Sequence, residues 1–185
     1  MTLDREQEIY AGRVVTLRLK HVRQPDGRVV LREVVEHAPG AAVVAVDADG
    51  SVLLVRQSRP AVDARLLELP AGLVDPGESP DECAVRELAE ETGFTASRLE
   101  PLVRFYSSPG FCTELLHLFV ASGLEPSAMP RDEEEDIEVV RLPLADAIER
   151  VLNGEISDAK TVAGLLAYWN RQPSRPSREP VERSG

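Results

Sequence analysis

Residues 72–94 read GLVDPGESPDECAVRELAEETGF, and nine positions in them keep a fixed spacing: Gly72, Glu78, Arg86, Glu87, Leu88, Glu90, Glu91, Gly93 and Phe94. Ser79 stands where a helix N-cap is wanted, and Pro80 suits the first helical position. Asp81 and Glu82 then set anions against the positive end of the helix dipole. Gly93 supplies a terminating C′ glycine, so the punctuation predicts a helix over 80–92. On that helix Glu87, Glu90 and Glu91 are spaced i, i+3 and i+4 and share one face. Arg86 is four residues from both Glu82 and Glu90 and within reach of each, while Leu88 and Ala84 point into the core. Three like charges on one face repel by roughly 0.2–0.5 kcal/mol per pair. A divalent cation removes that repulsion, and hard oxygen ligands suit Mg²⁺ or Mn²⁺.

An isolated Glu-Glu pair is usually a solvated helix face. Nine spaced positions are different, because at ordinary residue frequencies a chance match is on the order of 10⁻⁹ to 10⁻¹⁰ per start position. Written as G-x5-E-x7-R-E-U-x-E-E-x-G-U, with U a bulky apolar residue, the stretch resembles the box of the Nudix hydrolases. Those enzymes cut nucleoside diphosphates linked to another group. The resemblance implies an α/β/α sandwich with a mixed β-sheet. It also implies Glu87 and Glu91 as metal ligands with the backbone carbonyl of Ala71, and Glu90 assisting through a ligand bond or a water. Arg86 would orient the glutamates, and Glu78 would support the loop or a second metal. The implied cofactor is Mg²⁺ or Mn²⁺, two or more per site with substrate bound. Phe94 departs from the more usual Ile, Leu or Val, a matter of packing.

The rest of the chain fits that frame. A length of 185 residues is enough for one domain with a small extension. A net charge of −11 argues against nucleic acid as a bulk partner, so an anionic small substrate needs local arginines and a metal. Residues 2–7 are charged and unlike a signal peptide, and no apolar run is long enough to span a membrane. The two cysteines, Cys83 and Cys112, make no disulfide framework, and a reducing, cytoplasmic setting is expected. Cys83 lies one turn before Glu87 and reads as a small buried filler in preference to a soft ligand.

Alternation predicts a strand over 13–21, a turn at Pro25-Asp26-Gly27 and a return strand over 28–36. Residues 41–46 form a continuous apolar run suited to a strand buried on both faces. Further strands read over 51–56, 66–69, 99–106, 115–121 and 137–142, and helices over 144–152 and 158–170. The fold class is therefore α+β: a Nudix-type domain over 39–171, an N-terminal β-hairpin extension over 1–38, and a Pro-, Ser- and Arg-rich tail over 172–185 expected to be disordered.

Three features outside the box resemble the ADP-ribose pyrophosphatase subgroup. Pro109 follows Gly93 by sixteen residues, and with Gly110 it gives the stretch 107–114 a shaped loop, with Gly110 free for an unusual backbone angle. Pro109, Gly110 and Glu114 are candidate substrate contacts. In that subgroup the opening strands build a homodimer and help line the adenosine pocket, which makes Arg32 and Glu33 candidate nucleotide contacts. Arg59, ahead of Arg56, is a candidate for pyrophosphate or ribose phosphate recognition, since Arg offers planar donors to anions. The acidic run 132–136 resembles a glutamate-bearing loop that activates water or binds metal, with Glu135 ahead of Glu133 as candidate. The implied reaction is hydrolysis of ADP-ribose to AMP and ribose 5-phosphate. Three alternatives stay open: a pyrophosphatase for another nucleoside diphosphate sugar such as GDP-mannose, a non-catalytic ADP-ribose sensor, and a house-cleaning enzyme for oxidised or non-standard nucleoside triphosphates, against which Pro109 and the opening hairpin argue.

Overall fold

The computed structural model describes residues 2–128 and 136–172. Three antiparallel strands open the chain: β1 (Thr2–Ala11), β2 (Val15–Arg23) and β3 (Val29–His37). They form a sheet of their own in the order β1-β2-β3. The hairpin predicted from alternation is β2–β3; β1 is an additional strand. All ten residues of β1 are exposed, so no core face imprints a period on it.

The second sheet starts with β4 (Gly40–Val46) and β5 (Ser51–Arg59), followed by a 3₁₀ turn at Pro60–Val62. Then come β6 (Ala64–Glu68), β7 (Ala71–Leu73), helix α1 (Pro80–Thr92), β8 (Phe94–Tyr106) and β9 (Leu115–Pro126). After the acidic run lie β10 (Glu138–Pro143), α2 (Leu144–Leu152) and α3 (Ala159–Arg171). The sheet runs β10-β5-β4-β9-β8, with β6 on β5 and β7 on β4. β4 and β9 are parallel and the other pairs antiparallel, so the sheet is mixed, as expected.

The continuous apolar run of β4 is explained by cores on both of its faces. Ala42, Val44 and Val46 face one cluster with Ala147 and Ile148 of α2 and Leu165 of α3. Ala41, Val43 and Ala45 face the other, with Cys83, Ala84 and Leu88 of α1. The result is helix, sheet, helix.

One irregularity positions everything that follows. β4 and β5 pair only at Ala45↔Leu53 and Val46↔Val52, beside their connecting turn, and then diverge. Beyond that point β5 takes β6 as its neighbour and β4 takes β7. The segment Leu69-Pro70 steps across the fork between them.

Candidate active site

Helix α1 begins as its sequence demands. Ser79 N–H donates to Glu82 Oε2 at 2.8 Å, and Glu82 N–H donates back to Ser79 Oγ at 3.5 Å, a capping box contributing about 1 kcal/mol. Gly93 closes the helix in the left-handed region at φ 77°, where a side chain would be strained. Leu88, fully buried, anchors the inner face and contributes roughly 2 kcal/mol by leaving water.

The capping box corrects one expectation from helical spacing. Glu82 is committed to Ser79, and Arg86 turns to Glu78 instead. Its Nε and Nη2 lie 2.8 and 2.9 Å from the two Glu78 oxygens, a bidentate pair. Nη1 is 2.5 Å from Glu87 Oε1 and 3.1 Å from Glu90 Oε2, and Nη2 also donates to the Leu73 carbonyl. One guanidinium thus organises three carboxylates. Its hydrogen bonds hold the Glu78 carboxyl down to about 2, and the same bonds raise the pKa of Arg86.

Glu91 is only 6% exposed, and its Oε2 accepts a hydrogen bond from the Ala71 N–H at 3.0 Å. The next residue, Gly72, lies directly beneath the Glu87 carboxylate. A Cβ there would fall inside 3.0 Å of both Glu87 oxygens, so no other residue leaves that carboxylate its place. Cys83 is fully buried, and its Sγ donates to the Leu73 carbonyl at 3.3 Å. Burial, with Glu87 nearby, pushes its thiol up to about 12, which suits a core filler and not a thiolate ligand.

Among the described residues no group of three His, Cys, Asp or Glu side chains is arranged as a closed metal cage. The donor chemistry nevertheless fits a hard divalent cation. Glu87, Glu90 and Glu91 supply oxygen only, and the bare Gly72 backbone makes room for the Glu87 carboxylate.

A cavity of about 460 Å³ opens along this backbone, with Gly72, His37, Arg59, Glu114, Asp158 and Lys160 in its wall. Arg59 donates through Nε and Nη2 to the two oxygens of Glu68, both at 2.7 Å. Glu68 is 1% exposed and also pairs with Lys160. Burial alone would raise the Glu68 pKa, but its hydrogen bonds to Arg59 and the charge of Lys160 outweigh it and hold the carboxyl below the usual range. Arg56, three residues before Arg59 and so on the opposite side of β5, lies 3.6 Å from Glu138 and outside the cavity wall.

The stretch 107–114 is a loop with defined anchors. Val35 N–H donates to the Phe111 carbonyl at 2.7 Å, and Thr113 N–H donates to the Val35 carbonyl at 3.0 Å. The Thr113 hydroxyl accepts from the His37 N–H and donates to the His37 carbonyl. Glu114 thereby reaches the cavity, its Oε1 3.5 Å from His37 Nδ1. Pro109 and Gly110 sit at the loop's outer turn and not in the cavity wall. Gly110 does not have a positive φ, contrary to expectation, because the turn closes through Phe111 N–H and Cys112 N–H on the Ser108 carbonyl. Arg32 and Glu33 are exposed on β3 and likewise lie outside this cavity. Glu133 and Glu135 fall outside the described residues.

His37, Asp158 and Lys160 are the residues that sequence reading did not single out. Asp158 carried a signal, since it is the N-cap of α3 and accepts from the Thr161 N–H at 3.0 Å. Lys160 and His37 reach the site only through the fold.

Residues 36–165 match the family model described as NUDIX domain. The chain is 41% identical over 162 residues to an ADP-ribose pyrophosphatase of Bacillus subtilis (86% of this chain, 88% of that one). It is 42% identical over 149 residues to a GDP-mannose pyrophosphatase of Cronobacter sakazakii (74% and 78%). Among solved structures, an ADP compounds hydrolase superposes with a TM-score of 0.82 at 26% identity, over 91% of this chain and 92% of that one. With the box intact on α1 and the matched region spanning most of the sequence, the chain belongs to the Nudix family and is a Nudix hydrolase.

Proposed function

We propose that the protein hydrolyses the pyrophosphate of ADP-ribose, giving AMP and ribose 5-phosphate. The observation that carries this reading is the junction at Gly72, where the α1 carboxylates meet a cavity walled by Arg59, Lys160 and Glu114. The similarity to an ADP-ribose pyrophosphatase over 86% of the chain supports the choice of substrate.

Nudix hydrolases generally use divalent metals, and the proposed ligands are Glu87, Glu91 and the Ala71 carbonyl, with Glu90 assisting. Mg²⁺ or Mn²⁺, two or more with substrate bound, would neutralise the diphosphate and lower the pKa of a nearby water. The chain's own groups do the rest. Arg86 Nη1 bridges Glu87 and Glu90 and offsets their mutual repulsion, and the Ala71 N–H fixes one oxygen of Glu91. Arg59 and Lys160, in the cavity wall, would offset the charge of an anionic substrate entering a strongly acidic protein, and Glu114, in the same wall, would accept from sugar hydroxyls. A glutamate of the acidic run, Glu135 ahead of Glu133, is assigned as general base on sequence grounds.

We assign the opening strands to a homodimer interface. Leu3, Ile9 and Tyr10 of β1 and Leu31 of β3 are apolar and about half exposed, and Arg32 and Glu33, which follow Leu31 on β3, are proposed to serve a partner's pocket.

The similarity to a GDP-mannose pyrophosphatase favours a second reading with a different leaving group. The test is product analysis by chromatography with ADP-ribose, GDP-mannose, NADH and diadenosine polyphosphates, each with Mg²⁺ and Mn²⁺. AMP and ribose 5-phosphate from ADP-ribose, with little turnover elsewhere, supports the proposal. Preference for GDP-mannose replaces the substrate and keeps the site. ADP-ribose binding without turnover of any compound points to a sensor.

A further inference from the structure

Leu69 lies at the fork where β6 leaves β5's side and β7 joins β4, so its backbone N–H has no strand partner. A buried N–H without an acceptor forfeits its bond to water with nothing in return. The acceptor comes from α3, ninety-two residues later in the chain: Leu69 N–H donates to Thr161 Oγ1 at 2.8 Å. The Thr161 hydroxyl is fully buried and in turn donates to Asp158 Oδ2 at 2.6 Å. Its proton is thereby committed to Asp158, and its lone pair aims at Leu69.

The helix is brought close enough for this by Gly164, one turn further on. A Cβ at Gly164 would stand 2.6 Å from Leu69 Cδ1 and 3.0 Å from Leu118 Cδ2, so the α3 backbone rests on the Leu69 side chain itself. Next in the chain, the Pro70 carbonyl accepts from Val43 N–H at 2.9 Å, the Ala71 N–H donates to Glu91, and Gly72 lies beneath Glu87. Only Pro70 separates the Thr161 anchor from the residue that touches Glu91. Consecutive Cα atoms are about 3.8 Å apart, and proline stiffens the link, so a displacement at Leu69 is passed on to Ala71.

We propose that Thr161 is a positioning residue for the carboxylate site: its hydroxyl, oriented by Asp158, sets the register of the Leu69–Gly72 segment against α1 and so the placement of Glu91 and Glu87. This rests on the reading of α1 as the metal-binding helix.

The test is Thr161→Val, which keeps the shape and removes the acceptor, followed by Mn²⁺ titration with electron paramagnetic resonance of the free ion. The expected result is a rise in the apparent Mn²⁺ dissociation constant of about tenfold, typical when a group supporting a ligand is lost. A fall in kcat at saturating metal accompanies it, and Thr161→Ser restores both. Measurements are made well below the melting temperature of each variant. Should Thr161→Val fail to fold, Thr161→Ala, which adds no apolar group against its neighbours, carries the same expectation. Parent-like Mn²⁺ affinity and kcat in a folded Val or Ala variant would reduce Thr161 to a stability role and overturn the proposal, as would failure of Thr161→Ser to restore them. A parent protein that binds no Mn²⁺ would overturn the metal reading itself, and this inference with it.

Discussion

The Glu87 carboxylate occupies the space that a side chain at position 72 would fill. The backbone at Gly72 does not require glycine for its dihedral angles, since its φ is not among the positive ones. What it requires is emptiness. Gly72→Ala therefore acts on Glu87 and Arg86 more than on the fold, because the colliding atoms are the far end of a flexible side chain. We expect activity to drop by roughly 10²-fold, in line with the cost of misplacing a reacting group by about 1 Å. The melting temperature should change by only a few degrees, roughly 1 kcal/mol of stability. A variant with parent activity would separate Gly72 from the function of Glu87.

Glu91 presents a sharper case. It is nearly buried and receives the Ala71 N–H on one oxygen, which Gln can still accept with its carbonyl while losing the charge. Glu91→Gln should keep the fold and cut turnover by roughly 10²-fold or more if that charge holds a metal. Circular dichroism and a metal titration of turnover check both halves. Unchanged turnover with tight metal binding would remove Glu91 from the ligand set.

How far these residues could be read in advance depends on how local their signals are. α1 was legible to the residue, since Ser79, Pro80 and Gly93 act within one turn of their own positions. The double-sided core was legible in β4 because burial on both faces leaves no polar position in the run. β1 was not, because a strand exposed along its whole length alternates nothing. β7 was not, because three residues including a glycine carry too little pattern. Arg86 illustrates a different failure: spacing permits both Glu82 and Glu90, and only the capping box removes the first. Lys160 meets Glu68 and Thr161 meets Leu69 across ninety-two residues, with Asp158 bonded to both Lys160 and Thr161, and that meeting is a property of the fork between β4 and β5.

Acid should expose the role of Glu78. Its carboxyl ordinarily titrates near 4.5, and the Arg86 guanidinium holds it down to about 2 in the folded protein. A group whose pKa is depressed by folding stabilises the fold above its unfolded value, and that contribution is lost as pH falls through the folded value. Glu78→Gln should therefore melt below the parent at neutral pH, with the gap closing as pH is lowered from about 4.5 toward about 2. Melting curves across that range decide it. A gap that stays constant would mean that Gln fails through shape and not through charge.

Arg59 carries two loads that one substitution can separate. Its guanidinium is bidentate to Glu68, a carboxylate with 1% of its surface exposed, and the same residue lines the cavity. Arg59→Ala removes one of the two cations on Glu68, and because Lys160 remains the expected loss is about 1–3 kcal/mol, short of that for an abandoned buried charge. Arg59→Lys keeps the positive charge beside Glu68 but not the two parallel donors, so it should recover most of the stability. If Arg59 also meets the substrate's phosphates, the Lys variant will keep a raised KM for ADP-ribose while its melting temperature returns toward the parent's. Parent-like KM in the Lys variant would confine Arg59 to holding Glu68, and leave Lys160 as the cation facing the substrate.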